Sequence, residues 1–392
     1  MRLATYNIEW FANLFDRNDR LIVDDSWSGR HDVTKAQQVE AIAKVLTAID
    51  ADAVLVVEAP NTGKRQNTVR ALQAFAEVFG LRTSQATMGF PNDTHQELAL
   101  LYDPEVLSVR HDPRAADDAP RFDAEFRIDL DVDATQDVVQ FSKPPIELSV
   151  QTKAGFEFRL IGAHLKSKAP HGAGSRDEAI RISIANRRKQ LAQAIWLSRR
   201  VAHHLAKDDP VILLGDLNDG PGLDEFEHLF GRSSVEILLQ AGLFDPHAAT
   251  AYGPRPGSVP ATARFARPEN GTFLEALLDY IMISEDLQSR RPVWRIWHPF
   301  RDAACWAKPD LREALLTASD HFPVTLDFEL QPFNRARKGL HSAYETYSDD
   351  RRDDSRFCAA CNSRGRRCPN ADGAGGRVVF RGPAPRDGAG FG

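Results

Sequence analysis

The sequence predicts an α+β protein in which two mixed β-sheets pack face to face and carry helices on their outer surfaces. Short apolar, β-branched runs recur from residue 2 to residue 330, and segments with apolar residues at helical spacing separate the early ones. The pattern alternates strand and helix at first and then turns strand-rich, an order that suits two packed sheets flanked by helices.

A first strand begins at Arg2. Val39, Ile42, Ala43, Leu46 and Ile49 then repeat at helical spacing and lead into a strand over 53–57. A second helix is expected over 67–79, with Leu72, Phe75, Ala76 and Phe79 on one side. Strands follow over 97–102, 106–110, 126–132, 146–152 and 156–165. A long helical pattern covers 176–206 and holds Arg181, Arg187, Arg188, Arg199 and Arg200. Its stripe of Ile180, Ile184, Leu191, Ile195 and Val201 marks the buried side, so the arginines are expected on a solvated face rather than on nucleic acid. Later strands end in VILLGD and LLDYIMI, and a closing strand spans 322–330. Residues 112–120 and 252–260 are expected as insertions within one domain, and His171, Gly172 and Gly174 as a flexible loop near the site, of the kind that often selects substrate.

That domain is expected to cover 1–330, and residues 331–392 to form an arginine- and glycine-rich, disordered tail. The tail holds twelve Lys and Arg against seven Asp and Glu, which leaves −11 on the first 330 residues out of a total of −6. An acidic body weighs against a grip on long duplex DNA. Cys358-Ala-Ala-Cys361 with Cys368 is part of a zinc-knuckle pattern that lacks a fourth ligand, so the tail cysteines read as free thiols. No apolar run approaches the roughly 18 residues of a membrane span. With strand-forming sequence from Arg2 and Met1 as the start, a cytoplasmic protein is expected.

Chemistry concentrates where the strands end. Asn7 follows ATY, Glu58 follows AVLVV, His164 follows LIGA, Asp216 and Asn218 close VILLGDLN, Asp279 sits in LLDYIMI, and Asp320-His321 precedes FPV. Any one of these is ordinarily a turn former bonded to local backbone. The series needs another reason, because an unpartnered buried carboxylate costs several kcal/mol in practice. Convergence on a metal ion and a phosphate supplies one, and with no Cys or His cluster among the ligands a structural zinc centre is disfavoured.

In Gly215-Asp216-Leu217-Asn218 after a hydrophobic strand and Ser319-Asp320-His321 before the closing strand, the chain resembles the endonuclease/exonuclease/phosphatase superfamily over residues 1–330. The resemblance implies the four-layer α/β/β/α sandwich of deoxyribonuclease I. It also implies Glu58 as principal metal ligand with Asn7 and Asp320 beside it. His321 would be the general base, and Asp279 would hold its other ring proton. Asp216 and Asn218 would flank the scissile phosphate, and His164 would contact it as donor or acid. Lys166 is expected to hold phosphate, and Lys168 either to do the same or to be solvated. Glu9 and Asp219 adjoin site residues and read equally well as part of the site or as loop surface. The cofactor is expected to be magnesium, with manganese as an alternative.

The superfamily's branches separate less clearly. Inositol polyphosphate phosphatases carry a tryptophan- and arginine-containing motif where this chain has Leu278-Asp279-Tyr280-Ile281, and secreted sphingomyelinases begin with a signal peptide. The leading expectation is a metal-dependent phosphodiester hydrolase, a nuclease, that cleaves by in-line attack of an activated water. A phosphatase or phosphodiesterase on a small or lipid-derived phosphoester is the second, and a non-catalytic nucleic-acid-binding module the third. The substrate, nucleic acid or small phosphoester, is the only partner expected.

Overall fold

The computed structural model describes residues 1–94, 96–130, 137–170, 172–221, 231–251, 260–267 and 271–329. The expected tail with its three cysteines, His171, most of the 252–260 loop and the end of the expected 126–132 strand lie outside the described residues.

The strands are β1 (Arg2–Asn7), β2 (Ala53–Ala59), β3 (Gln85–Met88), β4 (Glu97–Tyr102), β5 (Leu107–His111), β6 (Phe126–Ile128), β7 (Asp137–Val139) and β8 (Ile146–Thr152). There follow β9 (Glu157–His164), β10 (Val211–Asp216), β11 (Leu243–Phe244), β12 (Ala263–Arg267), β13 (Thr272–Ala276), β14 (Asp279–Ser284), β15 (Val293–Ile296) and β16 (Val324–Asp327). Three helices position the site: α1 (Lys35–Ile49), α2 (Thr68–Val78) and α3 (Arg176–Leu205). Each starts where the sequence offers a cap. Thr34 and Gln37 form a reciprocal capping box, Asn67 accepts from the Arg70 amide, and Ser175 accepts from the Glu178 amide.

One sheet runs β15-β16-β1-β2-β4-β3 and the other β11-β14-β10-β9-β8-β5. Each holds a parallel pair, β1 with β2 and β9 with β10, flanked by antiparallel neighbours. Side chains alternate faces along a strand. Leu3, Leu55 and Val57 of the first sheet therefore meet Leu160, Ile212 and Leu214 of the second in a dry layer between the sheets. Ala4, Tyr6, Val54 and Val56 face outward onto α1 and α2, while Ile161, Ala163, Val211 and Leu213 face α3. The result is the expected α/β/β/α sandwich. Among the described residues no helix is long and apolar enough to cross a membrane.

The arginines of α3 depart from the sequence expectation. Arg187 and Arg200 are each only 1% exposed, whereas Arg181 is exposed and Arg188 and Arg199 are partly so. The helix is covered on more than its apolar stripe. Arg200 Nη2 donates to the carbonyls of Arg114 and Ala119 at 2.7 and 2.5 Å, tying down the 112–120 loop, and Arg187 reaches Asp219 at 3.4 Å.

The closing strand is shorter than the expected 322–330, because His321 and Phe322 are engaged sideways. His321 bridges Ala263, and the Phe322 amide donates to Thr262 O. The sheets approach closely at Gly162, where a Cβ would lie 2.5 Å from Leu55 Cδ1. Gly215, immediately before Asp216, has φ +133° and would place a Cβ 2.0 Å from Ala163 O. Gly215→Ala is expected to lower unfolding free energy by at least about 2 kcal/mol, through backbone strain and overpacking together. Urea denaturation of the two proteins checks this, and a loss below about 0.5 kcal/mol would show that the backbone relaxes freely there.

Candidate active site

Both parallel pairs end at the same edge of the sandwich. Asn7 closes β1, and Asp216 closes β10 in register with His164 on one side and Asp279 on the other. Glu58 sits on β2 at a register shift between Val57 and Ala59, in the left-handed region at φ +60°. Such a bulge re-aims a side chain without ending the strand. These ends surround a cleft of about 1050 Å³ lined by Asn7, Glu58, His164, Lys166, Asp216, Asn218, Asp320 and His321. Asp279 lies behind His321.

The cleft is knit across long sequence distances. Asn7 Nδ2 donates to Asp216 Oδ2 at 3.0 Å, joining the two sheets. The Ser319 hydroxyl donates to Asn7 O at 2.8 Å and accepts from the amides of Glu9 and His321, so the β1 end and the Asp320-His321 segment share one pin. His321 Nδ1 and Asp279 Oδ2 are 2.8 Å apart. With Nδ1 donating, Nε2 is left for the cleft. Asp279 is held by Thr262, whose hydroxyl accepts from the amides of Leu278 and Asp279.

Asn218, at φ +48°, turns its amide inward. Nδ2 donates to Leu165 O at 3.1 Å and to Asp216 Oδ2 at 3.2 Å, rather than into open space. His164 Nδ1 lies 3.2 Å from Lys143 Nζ and its Nε2 lies 3.6 Å from Asp216 Oδ2. The ammonium can only donate, so a neutral His164 ring carries its proton on Nε2. Lys143 Nζ is also 3.9 Å from Glu58 Oε1, and Gln96 Nε2 donates to Glu58 Oε2 at 2.7 Å.

The carboxyls here are under electrostatic stress. Burial, with Asp279 nearby, pushes Asp216 up to about 7. Burial and the Asp320 charge push Glu9 up to about 7, and burial raises Glu58 against the pull of Lys143. Burial, together with Lys143, holds His164 well below the usual histidine range. At His321 burial acts downward, but the charge and hydrogen bond of Asp279, with Asp216 and Asp320, carry the ring well above it.

A sequence profile described as "Endonuclease/Exonuclease/phosphatase family" matches residues 4–321. The chain belongs to this family. Its members are phosphoesterases, nucleases and phosphatases among them. No curated protein matches the chain significantly. Solved structures similar to it include a 3′-5′ exonuclease from Neisseria meningitidis (13% identity, 84% of this chain and 100% of that one, TM-score 0.46). Others are an AP endonuclease from Archaeoglobus fulgidus (12%, 84% and 100%, TM-score 0.47) and a mannosyl-6-phosphatase from Bacteroides thetaiotaomicron (17%, 84% and 100%, TM-score 0.44).

Several residues of this family member sit differently from the sequence expectation. For Glu9 the structure takes the site reading of the two that were open: it lines the cleft, pairs with Arg30 and accepts from Trp10 Nε1 at 2.8 Å. Asp219 is fully buried, and Lys168 lies against it with Nζ 2.6 Å from Oδ1, so Lys168 is neither solvated nor the free phosphate ligand that was the alternative. Lys143, Gln96 and Gln190 were not legible as site residues. Gln190, buried on α3, donates to the carbonyls of Lys166, Leu217 and Asn218 and so staples both site loops to the helix. A polar residue between the apolar positions of the α3 stripe was the available signal. For Lys143 it was a lone cation held extended before Pro144-Pro145.

The donors present fit a hard divalent cation. Asn7 Oδ1 and Asp279 Oδ1 are buried acceptors without a hydrogen-bond partner among the described residues, and both lie among acids whose protonation is favoured by burial. Among the described residues Asp216, Asp279 and His321 each offer a ligand atom, all within 4.8 Å of one another. The set of Asn7, Glu58 and Asp320 offers oxygen atoms that line the cleft directly.

Asp219→Ala is expected to destabilise the protein by about 3 kcal/mol, since it strips the carboxylate from buried Arg187 and Lys168. A urea-denaturation difference under about 1 kcal/mol would show this ion cluster to be peripheral to the fold.

Proposed function

We propose that this protein is a divalent-metal-dependent phosphodiester hydrolase, and specifically a nuclease. The observation that carries the reading is the convergence, in one cleft, of an Asp279-backed His321 with the oxygen-bearing side chains of Asn7, Glu58 and Asp320. All-oxygen donors suit magnesium, with manganese an acceptable substitute. When bound by Glu58, Asn7 and Asp320, the ion supplies Lewis-acid neutralisation of the phosphoryl oxygens.

The remaining work falls to side chains. A cation held by Glu58, Asn7 and Asp320 would offset the acids that raise the ring; His321 Nε2, once deprotonated, would take a proton from the attacking water, while Asp279 holds Nδ1–H and stabilises the imidazolium that results. Lys143, anchored on His164 Nδ1, brings a positive charge to the phosphoryl oxygens beside Glu58. Neutral His164 offers its Nε2–H on the same side. Asp216, pushed up to about 7 by burial, is able to hold a proton near neutral pH and pass it to the leaving oxygen. Asn218 fixes Asp216 in place through its backbone amide, which donates to Oδ1 at 2.8 Å.

The charge of −11 on the first 330 residues favours a substrate gripped at a few phosphates over a long duplex. The same charge gives a small or lipid-derived phosphoester as the second reading.

With purified protein, chelation is expected to abolish hydrolysis of bis-p-nitrophenyl phosphate and of oligonucleotides, and added magnesium or manganese to restore it. Glu58→Ala and His321→Ala should each lower kcat by about 10²–10⁴ while circular dichroism and Tm stay near those of the parent. Near-normal turnover by either variant would dismantle the assignment.

A further inference from the structure

The cleft has an aromatic lip that the reaction above leaves unused. Trp10 follows the end of β1 by three residues and lines the cleft while staying 44% exposed. Phe265, which also lines it, is already engaged, edge-on to His321 with ring centroids 5.6 Å apart. No aromatic side chain of the described residues pairs with Trp10.

The indole is held in place on several sides. Its backbone is left-handed, with φ +60° and ψ 21°, a conformation that is costly for a bulky side chain. Gly29, itself at φ +114°, stands against it, and a Cβ there would lie 2.9 and 3.0 Å from Trp10 Cγ and Cδ2. Those atoms are bonded neighbours in the indole, so glycine backbone backs the ring and a larger residue would displace it. At the edge, Nε1 donates to Glu9 Oε1 at 2.8 Å, while Arg30 pairs with the other Glu9 oxygen and donates to Leu316 O at 3.1 Å. A tryptophan needed only for packing would be turned into the core, as the fully buried Trp196 is. Here backbone strain, a glycine and an ion pair keep an indole open to the cleft.

Its place beside the catalytic groups is fixed as well. The Glu9 amide donates to Ser319 Oγ at 3.2 Å, and the Arg264 amide of the β12–β13 hairpin donates to Asp320 O at 2.8 Å. The indole therefore stands next to the Asn7 and Asp320 segments, within reach of an ester arm on a phosphate held there. A flat, uncharged, immobilised ring complements another flat ring, and every nucleobase offers such a face. An alkyl chain has no plane and gains little from the fixed orientation.

We propose that Trp10 is a specificity residue, which stacks on a nucleobase of the substrate next to the phosphate in the cleft. This rests on the phosphodiesterase reading and deepens it. A base lying on the indole has left its own stack, so the substrate presents it unpaired, in a single strand, a frayed end or a free nucleotide.

Calorimetry on the full chain with magnesium reads the stacking without turnover. At least one of thymidine 3′- and 5′-monophosphate is expected to bind about tenfold more tightly than 2-deoxyribose 5-phosphate, which lacks the base. Trp10→Ala should erase that difference, Trp10→Leu, apolar but without a plane, should lose it too, and Trp10→Phe should keep most of it, with circular dichroism confirming the fold of each. Single-stranded oligothymidylate should displace the monophosphate about tenfold better than the same strand paired in a blunt duplex. Equal or absent binding of nucleotide and sugar phosphate by the parent, a preference that survives Trp10→Ala or Trp10→Leu, or a Trp10-dependent gain just as large for hexyl phosphate overturns the stacking role. A duplex that competes as well as the single strand overturns the unpaired base. Loss of the functional reading would show separately, as no metal-dependent hydrolysis of bis-p-nitrophenyl phosphate by the parent.

Discussion

The dry layer between the sheets, where Leu55 packs against Gly162 and Ile146, sets the distance between them, and that distance decides which strand-end groups can meet. Asn7 and Asp216 are 209 residues apart in sequence and 3.0 Å apart in space only because β1 and β10 are held at that spacing. Each aliphatic side chain buried in this layer contributes about 1.5–3 kcal/mol. That is the reserve against which the crowded acids at the edge of the sandwich are held, since each buried ion costs several kcal/mol before its partners compensate it. Packing thus does two things at once: it aims the polar groups, and it offsets the penalty of gathering them.

The polar edge is organised by groups with no chemistry of their own. Ser319 joins the end of β1 to the Asp320-His321 segment, Thr262 holds Asp279, and Gln190 fastens two loops to α3. Each is a neutral hydrogen-bonding side chain that satisfies two or three buried backbone groups. This leaves the charged residues free to face the cleft instead of serving as struts. Glu58 is aimed differently, by a left-handed residue at a bulge, so its direction is built into the backbone.

Much of this was legible in the sequence, because strand periodicity reports which residues are buried and a polar residue ending an apolar run stands out against it. Asn7, Glu58, His164, Lys166, Asp216, Asn218, Asp320 and His321 all reach one cleft, with Asp279 directly behind. The expected helix over 67–79 became α2, and the helical spacing from Val39 to Ile49 became the body of α1. What failed did so for one reason, that a residue's surroundings are set by chain remote in sequence. Arg187 and Arg200 look like a solvated face until the Asp219 loop and the 112–120 loop cover them. Asp219 looks like surface until Lys168 and the Ser234 amide close on it. The closing strand looks longer than Val324–Asp327 because periodicity cannot show that Phe322 bonds to Thr262 instead.

Helix α3 therefore has a mechanical side. Along its 30 residues it carries Arg187 against Asp219, Gln190 under both site loops, and Arg200 clamped into the 112–120 loop. A rigid rod fastened at three points transmits displacement rather than absorbing it. The 112–120 loop and the Asp216 turn are thus fastened to one helix, and α3 sets the spacing between them.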